Sequence, residues 1–403
     1  MPAPAARAAE VRVRPPPFHA GHDSATIGDG GEPWSAALSV FIHEIATAVP
    51  PTAYRQSYLR DVMLGQFEGD RRTQNLVRRV YDASGIDQRH SVVEDLNGAS
   101  GQPLFFGAGA VARTPTTAER NQVYIETSRG LAATVARRLL AAGRLAPADV
   151  SHVITVSCTG FHAPDPAYAL VRELGLAPST GRYNIGFMGC FAAFQALQLA
   201  RALCLADPAA VVMIVCVEIC SIHLQLDPAP DNVVSASVFA DGAAGALLSA
   251  RPPATARYYR LEAFATALAE DGEKDMAWTI GDRGFEMVLS RYVPAILQTS
   301  LPAALAPLRP LIGDWRSVAH WAVHPGGRAI LDKVEQGLEL EAEQLAASRR
   351  VLARYGNMSS ATILFVLRDL LGRPAGAHEE SIVAIAFGPG ITVESGVLTR
   401  IGK

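Results

Sequence analysis

Short apolar runs and long Ala/Leu-rich stripes alternate along this chain, and that alternation predicts its elements. Val153–Val156, Val211–Val215 and Ile382–Ala386 are apolar at successive positions and rich in β-branched residues. A strand buried on both faces reads this way. Val318–Val323 predicts another strand, interrupted by His320, and Ala243–Leu248 reads as strand too. Elsewhere Leu131, Val135 and Leu139 recur every four residues, as do Ala192, Ala196 and Ala200. Such spacing marks one face of a helix. Alternating β and α elements predict an α/β fold built in layers. The helix after Cys190 is dominated by small residues, which allow close packing, so it is expected in the interior.

Composition narrows the class. The chain has 403 residues, 49% hydrophobic and 19% charged, as an ordinary soluble enzyme does. Its length suits two core units of about 150 to 200 residues each. A composition shift at Arg251-Pro252-Pro253 places the boundary, giving halves at 39–250 and 251–403. Residues 1–38 are rich in Pro, Ala and Gly and lack the apolar core of a secretion signal. They are expected to form a disordered extension. Net charge is −3 with scattered basic residues, so no nucleic-acid footprint exists. No apolar run reaches the roughly eighteen residues of a membrane span, so no integral membrane association is expected. The five cysteines are an odd number without metal-ligand spacing. They predict buried thiols in a reducing cytoplasm and no metal site.

Three residues carry candidate chemistry. Cys190 follows Gly186-Phe187-Met188-Gly189 and runs into the small-residue helix. A helix N-terminus and a nearby imidazole lower a thiol's pKa, and the glycines free backbone amides to hold an oxyanion. A buried structural cysteine is the commoner state, and it suffices for Cys158, Cys204 and Cys216. For Cys190 the nucleophile is the better reading. His324 ends the run Trp321-Ala322-Val323 and precedes Pro325-Gly326-Gly327, a rigid place at a cleft; the bland alternative is one of ten histidines satisfied locally. Asn357, in Tyr-Gly-Asn-Met-Ser-Ser, also suits an N-cap for the helix through Ile363, Leu364 and Leu367. Cys190 and Asn357 each open an apolar helix, one in each half, which hints at an internal duplication.

At these residues the chain resembles the type III polyketide synthases, the chalcone synthase family, within the thiolase-like fold. The motifs are the cysteine loop, His324-Pro325-Gly326-Gly327, Tyr355 to Ser360, Phe239-Ala240-Asp241-Gly242-Ala243 and Phe387-Gly388-Pro389-Gly390, and the likeness covers Val40 to Arg400. The resemblance implies two duplicated αβαβα-layered halves with buried helices between mixed sheets. It also implies a homodimer, with Cys190, His324 and Asn357 as the catalytic triad. Cys190 would take the starter from an acyl-CoA. His324 and Asn357 would stabilise the enolate left when malonyl-CoA loses carbon dioxide. Repeated condensation and ring closure would follow, with no metal or organic cofactor.

Pocket positions follow by the same resemblance. Phe239 matches a gatekeeper phenylalanine between the CoA tunnel and the cavity. The second gatekeeper aligns with Met287, with Phe285 two residues earlier. Cys158, Ala163, Cys220 and His223 fall on the cavity or its dimer-facing wall, Ser359 lies beside the triad, and Phe387, Gly388, Pro389 and Gly390 shape the cyclisation side. Ala163 stands where plant members carry a larger methionine, which taken alone enlarges the pocket; Phe161 or His162 could restore the bulk. Arg78 and Arg79 lie where the family binds CoA phosphates, while Ala83 replaces another basic position. These features lean towards a fatty-acyl starter and an alkylresorcinol or alkylpyrone product. Two alternatives remain: an initiating ketoacyl synthase, which usually follows its histidine with Gln-Ala-Asn, and a catalytically silent binding subunit, against which the filled triad argues. A papain-like protease would need a cysteine signature that is missing here.

Overall fold

The computed structural model describes residues 11–13, 39–97, 103–106, 112–269, 272–290, 292–374, 376 and 378–402. Nine strands form a continuous mixed sheet in the order His320–Val323, Glu379–Gly388, Thr392–Gly402, Arg257–Ala269, Val40–Ala48, Asp241–Ser249, Val211–Ile219, His152–Ser157 and Gly181–Gly186. The short strand Val11–Val13 joins it by pairing antiparallel with Ala267–Ala269. That pairing corrects the expectation of disorder for three residues of the N-terminal extension; the rest of 1–38 lies outside the described residues.

The strand wiring repeats. On one side Gly181–Gly186, His152–Ser157 and Val211–Ile219 run parallel, followed by antiparallel Asp241–Ser249 and antiparallel Val40–Ala48. On the other, His320–Val323 and Glu379–Gly388 run parallel, followed by antiparallel Thr392–Gly402 and Arg257–Ala269. The two runs meet through only three residue pairs, Val40–Ile42 against Tyr259–Leu261. The boundary expected at Arg251 falls in the connection between Asp241–Ser249 and Arg257–Ala269.

Burial shows why the strands read as unbroken apolar runs. Successive strand side chains point to opposite faces. In Val211–Ile219, Val212, Ile214 and Cys216 join a central core, whereas Val211, Met213, Val215 and Val217 join an outer one. The outer core is completed by the helices Thr117–Gly143 and Pro166–Leu174. Across the repeat, Ile382, Ala384 and Ala386 face the centre, while Val383, Ile385 and Phe387 face the helices Val293–Leu305 and Arg328–Leu338. Two helices, Ala192–Ala206 and Thr362–Leu371, fill the central layer. The result is α–β–α–β–α, the layering the resemblance implies.

Small residues make the central layer fit. Ala192, Ala193, Ala196 and Ala200 are buried against Ala244 and Ala246 of the neighbouring strand. Gly245 marks the tightest approach on the opposite face, because a Cβ there would sit 2.8 Å from Val135 Cγ1 and 2.4 Å from Ile214 O. The expected strand at Val318 begins only at His320. The expected capping role of Asn357 also shifts: the helix starts at Thr362 after Ala361, and Asn357 instead closes the short 3₁₀ turn Ser359–Ala361.

Candidate active site

Both inner helices begin beneath one cavity of about 1510 Å³, lined by Cys190, His324 and Asn357. Gly189 has φ +84°, and a Cβ there would lie 2.5 Å from Pro389 Cδ, so only glycine lets the cysteine loop close over that proline. His324 ends its strand with its amide bonded to Ile385 O at 2.8 Å, and the Pro-Gly-Gly turn closes as Gly326 N donates to His324 O at 3.0 Å. The side chain is 1% exposed, and neither ring nitrogen has a hydrogen-bond partner among the described residues. Buried polar atoms are rarely left so, which points the ring at a ligand.

Asn357 links the two loops. Its Oδ1 accepts from Ser359 N at 2.9 Å and its Nδ2 donates to Gly326 O at 3.2 Å. An amide nitrogen carries two protons, and the remaining one reaches the Cys190 thiol. Burial pushes that thiol up to about 11, against the pull of hydrogen bonds from Ser359 and Asn357. Burial likewise lowers His324 to about 3. The expected lowering of the thiol by the helix N-terminus is therefore overridden by desolvation. An isolated charge is costly here, and a neutral imidazole offers one donor and one acceptor nitrogen.

The wall is largely as expected, with instructive exceptions. Phe239, Met287, Phe285, Cys158, Cys220, His223, Ser359, Phe387 and Pro389 line the cavity. Phe285 and Met287 alternate with exposed Glu286 and Val288, so both gatekeeper candidates share one face. Phe285 stacks on His223 at 4.1 Å, and burial holds that imidazole neutral at about 3, bonded to Thr159 O at 2.7 Å and to Phe285 N at 3.1 Å. Cys158 is more than a packing thiol, since its Sγ lies 3.0 Å from Ser359 Oγ at the cavity wall. Ala163 is exposed on a loop outside the lining, so its small size does not enlarge this subunit's pocket. Gly388 and Gly390 are also absent from the lining; Gly388 instead leaves room for the Phe191 ring, 2.4 Å from where its Cβ would be. Arg79 lines the cavity, whereas Arg78 stays outside the lining and donates to Asn75 Oδ1 at 3.5 Å.

Sequence reasoning missed several wall residues. Trp278 lines the cavity, donates from Nε1 to Cys158 O at 2.7 Å, and meets His223 and Phe285 edge-on. Its cross-strand pairing with Met287 was the available signal. Trp278→Ala is expected to deepen the cavity and shift products to at least one further two-carbon extension, read by mass spectrometry. Glu218 is fully buried behind Cys158, accepting from Cys158 N at 3.0 Å and Thr159 Oγ1 at 2.8 Å, and from Ser360 Oγ. Burial raises its pKa. A charged residue inside the run Val211–Ile219 was its signal. Arg72, Arg89 and Arg328 add three further cations to the lining.

Comparison with known proteins agrees with this arrangement. Residues 35–252 match the family described as chalcone and stilbene synthases, N-terminal domain, and residues 261–402 match the C-terminal domain of the same family. The chain is 31% identical over 359 residues to the alpha-pyrone synthesis polyketide synthase-like Pks18 of Mycobacterium tuberculosis, covering 88% of this chain and 89% of that one. It is also 31% identical over 375 residues to bisdemethoxycurcumin synthase of Oryza sativa subsp. japonica, covering 88% and 90%. The crystal structure of PKS-I from the brown alga Ectocarpus siliculosus superposes with a TM-score of 0.83 at 29% identity, over 92% of this chain and all of that one. The C-terminal type III polyketide synthase domain of Steely1 from Dictyostelium gives 0.83 at 25% identity, over 90% and 99%. By its sequence and its layered structure alike, this chain belongs to the chalcone and stilbene synthase family, the type III polyketide synthases.

Proposed function

We propose that Cys190 carries an acyl starter, that His324 and Asn357 drive decarboxylation of malonyl-CoA, and that the chain grows by repeated condensation before ring closure. The observation that carries this reading is the convergence of the three side chains on one cavity, with His324 buried and unpartnered. The Cys190 thiol attacks the acyl-CoA carbonyl as its proton moves to the imidazole, and CoA leaves as the thiol. Malonyl-CoA then loses carbon dioxide, and the bonding pair becomes an enolate held by His324 N–H and Asn357 Nδ2. That carbon attacks the Cys190 thioester, the sulfur leaves, and the lengthened chain returns to Cys190 for another round. Neither step requires a metal or an organic cofactor.

A fatty-acyl starter and an alkylpyrone or alkylresorcinol product are the favoured outcome. Support comes from the cavity's size and its apolar walls, which include Leu59, Met63, Leu76, Val80 and Leu224, and from the pyrone activity in the name of Pks18. A homodimer is supported by the exposed Phe161, Tyr168, Tyr183 and Met188 on and around the sheet's outer strand. Among the described residues no helix is long and apolar enough to cross a membrane. The five free thiols suit the cytoplasm.

Incubation with malonyl-CoA and acyl-CoAs of graded chain length, followed by mass spectrometry, tests this reading. Long-chain pyrones or resorcinols are expected. Strict preference for aromatic starters would remove the fatty-acyl assignment, and a single-extension product on a carrier protein would indicate an initiating ketoacyl synthase. Arg79→Ala is expected to raise the Michaelis constant for malonyl-CoA about tenfold, the loss of one charge-assisted phosphate contact of about 1.5 kcal/mol. An unchanged constant rules that role out.

A further inference from the structure

The helix Pro230–Val238 ends beside the triad, and its last carbonyls have no helical partner of their own. Each finds a donor from another part of the chain. The Tyr81 hydroxyl donates to Ala236 O at 2.9 Å, Gln56 Nε2 to Ser237 O at 2.7 Å, and Arg89 Nη1 to Phe239 O at 2.6 Å. The fourth donor is Asn357 itself, whose backbone amide bonds Val238 O at 2.8 Å, while Ala240 N returns a bond to Asn357 O at 2.9 Å. Phe239 and Asn357 are thus paired as a parallel bridge, and the gate ring and the amide that would hold the enolate share one backbone frame.

Arg89, at the cavity wall, clamps that frame. It is 7% exposed, makes no ion pair among the described residues, and donates from Nε to Gln56 Oε1 at 3.0 Å. Its guanidinium lies over the Tyr81 ring, 5.8 Å from the centre. Gly356, at φ +71°, presses its backbone onto the arginine stem, because a Cβ there would fall 2.9 Å from Arg89 Cγ and from Val238 O. A cation at a helix C-terminus opposes the partial negative charge gathered there. One residue past Ala240, the Asp241 carboxylate fixes the other side, accepting from Val92 N and Ser221 N at 2.8 Å each.

We propose that Arg89 is a positioning residue for malonyl decarboxylation, setting the Phe239 ring and the Asn357 amide at the spacing the enolate needs. This rests on the polyketide synthase reading. Arg89 touches neither Cys190 nor His324 by any hydrogen bond in the structure, so loading of the starter is separable from decarboxylation. In Arg89→Met the carbonyl of Phe239 loses its donor and the frame relaxes; a misplacement near 1 Å costs about 100-fold in rate.

The test measures two steps in the full chain: acyl-enzyme formation by intact mass after rapid mixing with an acyl-CoA, and carbon dioxide release from malonyl-CoA. Arg89→Met is expected to slow carbon dioxide release about 100-fold while acyl loading stays near the native rate. Arg89→Lys, which keeps a cation and one donor at the helix end, should restore part of the loss, and it reads the same split if the methionine variant does not fold. Equal loss of both steps, or no loss of either, overturns the proposal. A native protein that loads acyl groups yet releases no carbon dioxide from malonyl-CoA refutes the function itself, and this inference with it.

Discussion

Cys190→Ala is expected to form no acyl-enzyme and no ring product, yet to keep releasing carbon dioxide from malonyl-CoA. The two halves of the chemistry use different groups. Loading needs the sulfur, whereas decarboxylation needs only donors for the enolate oxygen, and His324 and Asn357 remain in place. Alanine removes one sulfur atom from a site where Ser359 and Asn357 can rebond to each other or to substrate, so the fold is kept. Intact mass after incubation with an acyl-CoA, together with carbon dioxide trapping, reads both halves. Cys158 and Cys220 face the same cavity, which sharpens the experiment. An acyl adduct that persists in the variant would place the nucleophile on one of those thiols instead. Their positions argue against that outcome, because burial and the Glu218 carboxylate both hold them protonated.

Asn357→Ala should show the complementary pattern. Removing one preorganised donor to a developing oxyanion costs about 2.7 to 4 kcal/mol, a drop of 10²- to 10³-fold in carbon dioxide release. Acylation of Cys190 should fall far less, since the sulfur and the imidazole remain and only the Asn357 hydrogen bond to the thiol is lost. A smaller structural cost accompanies the change: Gly326 O loses its donor and the Ser359 turn loses its acceptor, each about 1 kcal/mol. Thermal melting separates the two effects, because a modest fall in stability cannot produce a hundredfold loss at a temperature where the variant is folded. Unchanged decarboxylation would remove Asn357 from the mechanism and leave it only the role of tying the two loops together.

The elements of the central sheet were legible because they are buried on both faces. Val211–Val217 and Ile382–Phe387 carry apolar residues at every position for that reason, and the alanine stripe of Ala192–Ala206 marks an interior helix. The hairpin Met276–Gly281 with Gly284–Leu289 was harder to read. The family motifs reach Phe285 and Met287 on its second strand but not Trp278, which only the pairing places directly across from Met287. Ala163 lies at the surface of the single subunit, where a side chain's facing depends on the path of its loop; that leaves it the dimer-facing alternative and not the cavity wall of its own subunit. The direction of the Cys190 shift turns on desolvation, which a sequence does not display as it does a helix N-terminus.

By itself the sequence determined the layered α/β class and singled out Cys190, His324 and Asn357 as the candidates that the fold brings to one cavity. Periodicity and local motif carry that information, because both are properties of neighbours along the chain. Tertiary structure alone decided which walls face the cavity, that the His324 ring is buried, and that one helix end is capped by Gln56, Tyr81, Arg89 and Asn357. Those capping contacts join residues up to 181 positions apart, and burial and hydrogen-bond satisfaction exist only once the whole chain has closed around them.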